Sequence, residues 1–115
     1  MNNKQVAETF VNERVWGKAK VEGSNLFIEG RTIYSYGYHF PIAIRLEDNT
    51  FLLNEDGYSQ TTAKHKGIVR REIEKQGFKL YILPTQNLKD IIHADLKTLK
   101  EVMLNKFIDD KGSLL

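Results

Sequence analysis

Apolar residues along the chain follow two rhythms. Between residues 3 and 14, Val6, Phe10 and Val11 share one face at helical spacing, which predicts a short helix capped by Asn2 or Asn3. Trp16 and Gly17 end it. The period then falls to two. "KAKVE" alternates weakly, and "NLFIE" and "TIYSY" flank Gly30–Arg31, a tight connection between paired strands. "FPIAIRL" puts Phe40, Ile42, Ile44 and Leu46 on one face, with Pro41 at a strand start or edge. "EDNT" and "NEDGY" are turns on either side of the returning strand "FLLN".

Helical spacing returns from about Thr62 to Gln76 and stops at Gly77, a residue suited to the left-handed helix end. "FKLYIL" reads as a last strand closed by Pro84. Residues 87–108 return to helix, with Asn87 and Asp90 placed as a capping box. Its apolar stripe is Leu88, Ile91, Ile92, Leu96, Leu99, Val102, Met103 and Phe107, with a break expected near His93–Asp95. The order helix, strand meander, helix, strand, helix predicts a two-layer α+β domain. Its mostly antiparallel sheet has four to six short strands, with the helices on one face. Residues 1–85 form the core and residues 86–115 a helical extension of the same domain. That extension is longer than a small sheet needs. It either folds back, giving a monomer, or pairs with a second copy in a homodimer.

Composition narrows the class. A chain of 115 residues, 41% apolar and 28% charged, suits one domain with its own core. There is no cysteine, which excludes disulfides and thiolate metal sites. "MNNKQVAETF" has no apolar leader core, and no apolar run is long enough for a membrane span. A cytoplasmic protein with no membrane partner is the expectation. The formal net charge of +2 is unevenly spread. Residues 1–58 carry six basic and eight acidic side chains, residues 59–85 six and two, and residues 86–115 five and five. The basic excess is therefore local and able to steer anions.

Three linked segments carry a resemblance. "NLFIEGRTIYSYGYHFPIAIR", followed by "YSQTTAKHKGIVRR", resembles a small domain family of phages, mobile elements, bacteria and archaea. Its members share N-x-F-I-E-G, T-I-Y-S-Y-G-x-H-F-P-I-A and Y-S-x-T-T-x-x-H. The matching positions are Asn25, Phe27, Glu29, Gly30, Tyr34, Ser35, Tyr36, Gly37, His39, Phe40, Pro41, Ser59, Thr61, Thr62 and His65, within residues 5–75. "GKAKVEGS" is expanded relative to the pattern, and the segment after Pro84 has no counterpart in it. The resemblance points to an origin in a phage or mobile element and, by itself, implies no activity.

The chemistry concentrates in "SQTTAKHKGIVRRE". His65, Ile68, Val69, Glu72 and Ile73 fall on one inward face. Lys64 and Arg71 lie on one flank, and Lys66, Arg70 and Glu74 on the other. Lys64, His65 and Lys66 in a first turn would sit against the positive end of the helix dipole. Two readings follow for the cations: a solvated surface, or an anion site. In the second, Ser59, Thr61 and Thr62 add hydroxyls to the free N–H groups of a helix start, with Lys64, His65, Lys66, Arg70 and Arg71 around them. His65 is read either as a core-edge histidine bonded to a strand, through a Tyr or Ser of "TIYSYG", or as an anion ligand or proton donor.

Tyr34, Tyr36 and Tyr38 share a face if their strand is regular, which would suit base stacking; a bulge at Gly37 would scatter them. His39 and His65 are the candidates for metal-free acid–base cleavage of RNA. No metal-ligand, P-loop or nucleophile-elbow spacing occurs, so neither metal nor cofactor is expected. The expected function is a small non-enzymatic binding protein whose partner is nucleic acid or another polyanion, met through the basic Ser59–Lys75 helix. The alternatives are an anti-defence inhibitor of the anti-CRISPR kind, binding a host nuclease or effector with an acidic surface, and a histidine ribonuclease.

Overall fold

Six strands form one sheet in the order in which the chain makes them: β1 (Val21–Glu22), β2 (Leu26–Glu29), β3 (Thr32–Ser35), β4 (Pro41–Arg45), β5 (Thr50–Asn54) and β6 (Lys79–Leu83). The computed structural model of the chain describes residues 2–12, 21–23, 25–46, 49–57 and 59–92. Neighbouring strands are antiparallel from β1 to β5, and β6 joins β5 in parallel. A parallel neighbour needs a crossover, which α2 (Gln60–Lys75) supplies. With α1 (Asn3–Asn12) before the sheet and α3 (Thr85–Ile92) after it, the expected α+β order holds.

Local chemistry accounts for most element ends. The Asn2 side chain accepts from the Gln5 N–H at 2.8 Å, and the Asn2 N–H donates back to the Gln5 side chain at 2.9 Å. This reciprocal capping box starts α1. Arg45 receives the other end: its guanidinium donates to the carbonyls of Phe10 and Val11, the last turn of α1. Gly30 takes a φ of +61°, the left-handed value that primed hairpin turns need at their first position, and joins β2 to β3. At the end of α2, the Phe78 N–H bonds to the Ile73 carbonyl and Gly77 N–H to that of Glu74. Gly77, at φ +72°, makes this a Schellman ending, with Phe78 packed into the same core as Ile73.

The strand pattern departs from strict alternation at one point. Ile33 pairs with Ala43, and Tyr34 pairs with Pro41, so Ile42 is an extra residue with no partner across the ladder. Such a bulge turns two successive side chains to one side and reverses the phase beyond it. Phe40 and Ile42 therefore pack with α1 and α2, whereas Ile44 and Leu46 pack on the opposite face. The expected single face of Phe40, Ile42, Ile44 and Leu46 is corrected accordingly. The alternation was real, but the register inverted it midway.

Two cores result. Val6, Phe10, Ile28, Ile33, Ile42, Phe51, Val69 and Ile73 fill the space between the sheet and the α1–α2 layer. Ile44, Leu52, Leu83, Leu88 and Ile91 form a second cluster under α3. Helices on one face thus describes α1 and α2; α3 lies across the sheet from them. Each large apolar side chain buried here stabilises by roughly 1.5–3 kcal/mol.

α3 begins at Thr85, two residues before the expected Asn87, and Asn87 with Asp90 does not cap it. Pro84 has no acceptor side chain, and the Asp56 carboxylate accepts the Thr85 N–H at 2.7 Å from a different loop. That bond holds the Asp56 carboxyl below its ordinary range. The expected break near Asp95, the stripe from Leu96 to Phe107 and the dimer built on it lie outside the described residues. No described helix is long and apolar enough to cross a membrane.

Candidate functional site

His65 is buried on the inward face of α2, one turn after Thr62 and one before Val69. Its Nδ1 lies 2.8 Å from the Ser35 hydroxyl at the end of β3, and its Nε2 lies 3.3 Å from the Asn3 side-chain nitrogen on α1. The Asn3 oxygen accepts from the backbone N–H groups of Asn25 and Leu26, at 3.2 and 3.3 Å. Those two donors fix the amide with its NH2 towards the ring. Nε2 must therefore be the acceptor, and Nδ1 carries the proton and donates to Ser35. Burial lowers the imidazole pKa in the same direction, favouring this neutral ring.

Ser35 continues the chain to Thr62, hydroxyl to hydroxyl at 3.3 Å. Ser59 completes it. Its hydroxyl donates to that of Thr62 at 3.0 Å and accepts the Thr62 N–H at 3.1 Å, as the N-cap of α2. Ser59, Thr62 and His65, candidates for an anion site in the sequence, thus form a relay with Ser35 and Asn3 that is buried at Ser35, Thr62 and His65 and exposed at Ser59. A partner on the "TIYSYG" strand was legible from the sequence. Asn3, sixty-two positions away, carried no sequence signal.

With Ser59 as cap, α2 starts two residues earlier than the spacing predicted. Lys64 and Lys66 consequently sit in the second turn, where the helix dipole has largely decayed. The apparent conflict between cations and helix start is mostly removed. Lys66 donates to the Asp56 carbonyl at 3.1 Å, and Arg70 pairs with Glu74 at 2.9 Å on the outer surface. An exposed pair of this kind contributes little to stability.

The other flank differs. Lys64, Arg71 and Lys75 recur at spacings of seven and four along one side of α2, and Arg71 and Lys75 face α1. Lys4 of α1 meets Arg71 and Lys75 across a groove of about 440 Å3. Ala7 and Ile68 give it apolar walls, and Glu8 and Glu72 are its acidic members. Glu72 is already engaged. Asn12 donates to it at 2.8 Å and Gln76 at 3.2 Å, and these bonds, with Lys75 and Lys4 nearby, hold its carboxyl below the ordinary range. Among the described residues, Lys64 and Arg71 have no carboxylate partner. Lys75 was legible from helical spacing, whereas Lys4 comes from a different element.

The tyrosines are divided. Tyr34 stacks on Phe27 at 5.1 Å, and Tyr38 packs edge-on to both, on the sheet face away from α1 and α2. The Tyr38 hydroxyl bonds to Glu29. Tyr36, past the end of β3 with φ 65°, turns to the helical side and lies 5.7 Å from the His65 ring. The shared face expected for Tyr34, Tyr36 and Tyr38 is thereby corrected. Thr61 and His39 are exposed. Among the described residues, no three His, Cys, Asp or Glu side chains gather as a metal ion would need. No protein-family model, curated protein or solved structure matches the chain.

Proposed function

We propose that this is a non-enzymatic binding protein that engages a polyanion, nucleic acid first, through the α1-facing flank of α2. The observation that carries the reading is the stripe of Lys64, Arg71 and Lys75, joined across the groove by Lys4. At 1.5 Å per residue the stripe runs about 16 Å along the helix, so one extended chain of phosphates meets several cations together. The supports are local: the charge excess lies in residues 59–85, and among the described residues Lys66 and Arg70 have partners within the fold while Lys64 and Arg71 have no carboxylate partner. An origin in a phage or mobile element belongs to the same proposal and rests on the motif resemblance.

The test is fluorescence anisotropy with labelled oligonucleotides over a series of salt concentrations. Binding should weaken linearly on a log–log plot, and each Lys or Arg removed from the stripe should lower the slope by about one. Lys64→Glu with Arg71→Glu should abolish binding without changing the melting temperature materially. Absence of binding at low salt sinks the reading.

A second reading is favoured by one feature. The apolar walls at Ala7 and Ile68 suit a protein surface with acidic side chains, as on a host nuclease that this chain would inhibit. That partner would form a stoichiometric complex with the protein while free nucleic acid did not. A histidine ribonuclease has less support, since both ring nitrogens of His65 are engaged in the fold.

A further inference from the structure

Tyr36 combines three properties that packing does not explain together. Its φ of 65° is left-handed, a conformation that bulky aromatic residues avoid and that glycine or asparagine adopts freely. Its backbone is pinned there, because its N–H donates to the Asn25 carbonyl at 2.8 Å, and the next N–H, of Gly37, donates to Ser35 at the same distance. Yet the residue remains 51% exposed, so burial does not compensate for the strain. Strain of this kind, held by surrounding bonds, concentrates where a side chain must be presented in one orientation.

The ring's surroundings indicate what it is presented to. It rests against His65, tilted by 37°, and His65 lies between Lys64 and Lys66 on α2 and is bonded to Asn3, the neighbour of Lys4. An exposed aromatic ring therefore rests on the residue next in sequence to Lys64, the first cation of the basic stripe. Tyr38 is equally exposed but sits on the far sheet face with its hydroxyl on Glu29, a setting that repels phosphate. Aromatic rings beside cationic tracks are the shared device of proteins that hold single strands, because only an unpaired base offers a free face for stacking.

We infer that Tyr36 is a stacking platform for one base of a single-stranded nucleic acid whose phosphates run along Lys64, Arg71 and Lys75. The inference rests on the polyanion reading above and narrows it to single strands. A preorganised backbone and a backing imidazole hold the ring in place before the strand arrives, so little ordering is left for the binding step.

The experiment compares a labelled single-stranded oligonucleotide with its duplex, against wild type, Tyr36→Asn, Tyr36→Phe and the Lys64→Glu/Arg71→Glu pair. Asparagine suits the left-handed backbone, so Tyr36→Asn should fold, with its melting curve as the check. It should weaken single-strand binding by about 5- to 150-fold, the range of one base–aromatic stack, and leave duplex binding unchanged. Tyr36→Phe should bind as wild type, because stacking does not need the hydroxyl. The charge-reversal pair should lose both ligands. Wild-type preference for the duplex, or unchanged single-strand binding in Tyr36→Asn, overturns the inference while leaving the polyanion reading standing. Failure of wild type to bind either ligand at low salt overturns both.

Discussion

His65 and Asn3 hold each other in a single hydrogen-bonding arrangement across the α1–α2 interface. Asn3 can present only its NH2 to the ring, because its oxygen already accepts two backbone N–H groups, so Nε2 must remain unprotonated. The helix that carries the basic stripe is thereby fastened to the helix that carries Lys4.

This arrangement makes stability depend on pH. The folded-state pKa of His65 is lowered from 6.5, so the unfolded chain binds the extra proton first as pH falls. The contribution is complete above about pH 6.5 and declines as pH falls through the lowered value, at no more than about 1.4 kcal/mol per pH unit. Glu72 and Asp56, whose carboxyls are also lowered, act only below their ordinary values of 4.5 and 3.8. Urea unfolding between pH 5 and 8 should therefore show a slope that His65→Ala removes. The same variant should cost about 1–3 kcal/mol at pH 8, from the cavity and the lost hydrogen bonds. A pH-independent wild type in this window would rule out the neutral buried ring.

Asn54 ties three segments together. It is fully buried and donates to the Pro41 carbonyl and the Thr85 hydroxyl, each at 2.8 Å, while accepting the Asp56 N–H at 2.8 Å. Asn54→Leu removes the side-chain bonds to the Pro41 carbonyl, the Thr85 hydroxyl and the Asp56 N–H and should cost on the order of 2–4 kcal/mol. Because Asp56 caps α3, hydrogen exchange at Leu88 and Ile91 should accelerate more than exchange at Val69. Uniform acceleration would mean that Asn54 supports the whole fold equally.

The bulge can be tested by additivity. Ile42 and Ile44 are two residues apart on β4 yet belong to separate cores. Each Ile→Ala change should cost about 2–5 kcal/mol. To keep the double variant folded, Ile→Val at both sites is the better cycle, at about 0.5–1.5 kcal/mol each. The two costs should add within about 0.5 kcal/mol, as for sites that share no packing partner. A larger coupling would place both side chains in one core.

Much of the chain was legible before folding. The caps at Asn2 and Gly77, the Gly30 turn, and the inward face of His65, Val69 and Ile73 all rest on residues within a few positions of each other or on a single periodicity. The α3 start was not, because its cap, Asp56, lies twenty-nine residues away in sequence. Nor was the division of the tyrosines, which follows from the turn after Ser35 and the positive φ of Tyr36.

The sequence by itself determined which segments become helix and strand, where most of them stop, and that positive charge gathers on one helix. Periodicity, capping and turn chemistry act over one or two turns of chain, so they can be read residue by residue. Only the tertiary structure decided that Ile42 and Ile44 part company, that α3 crosses to the far face, and that Asn3 governs the His65 proton. It also brought Lys4 beside Arg71 and Lys75 and set Tyr36 against His65. Each of these depends on register between distant segments, and register is fixed by which side chains fill the same space, a property no local window contains.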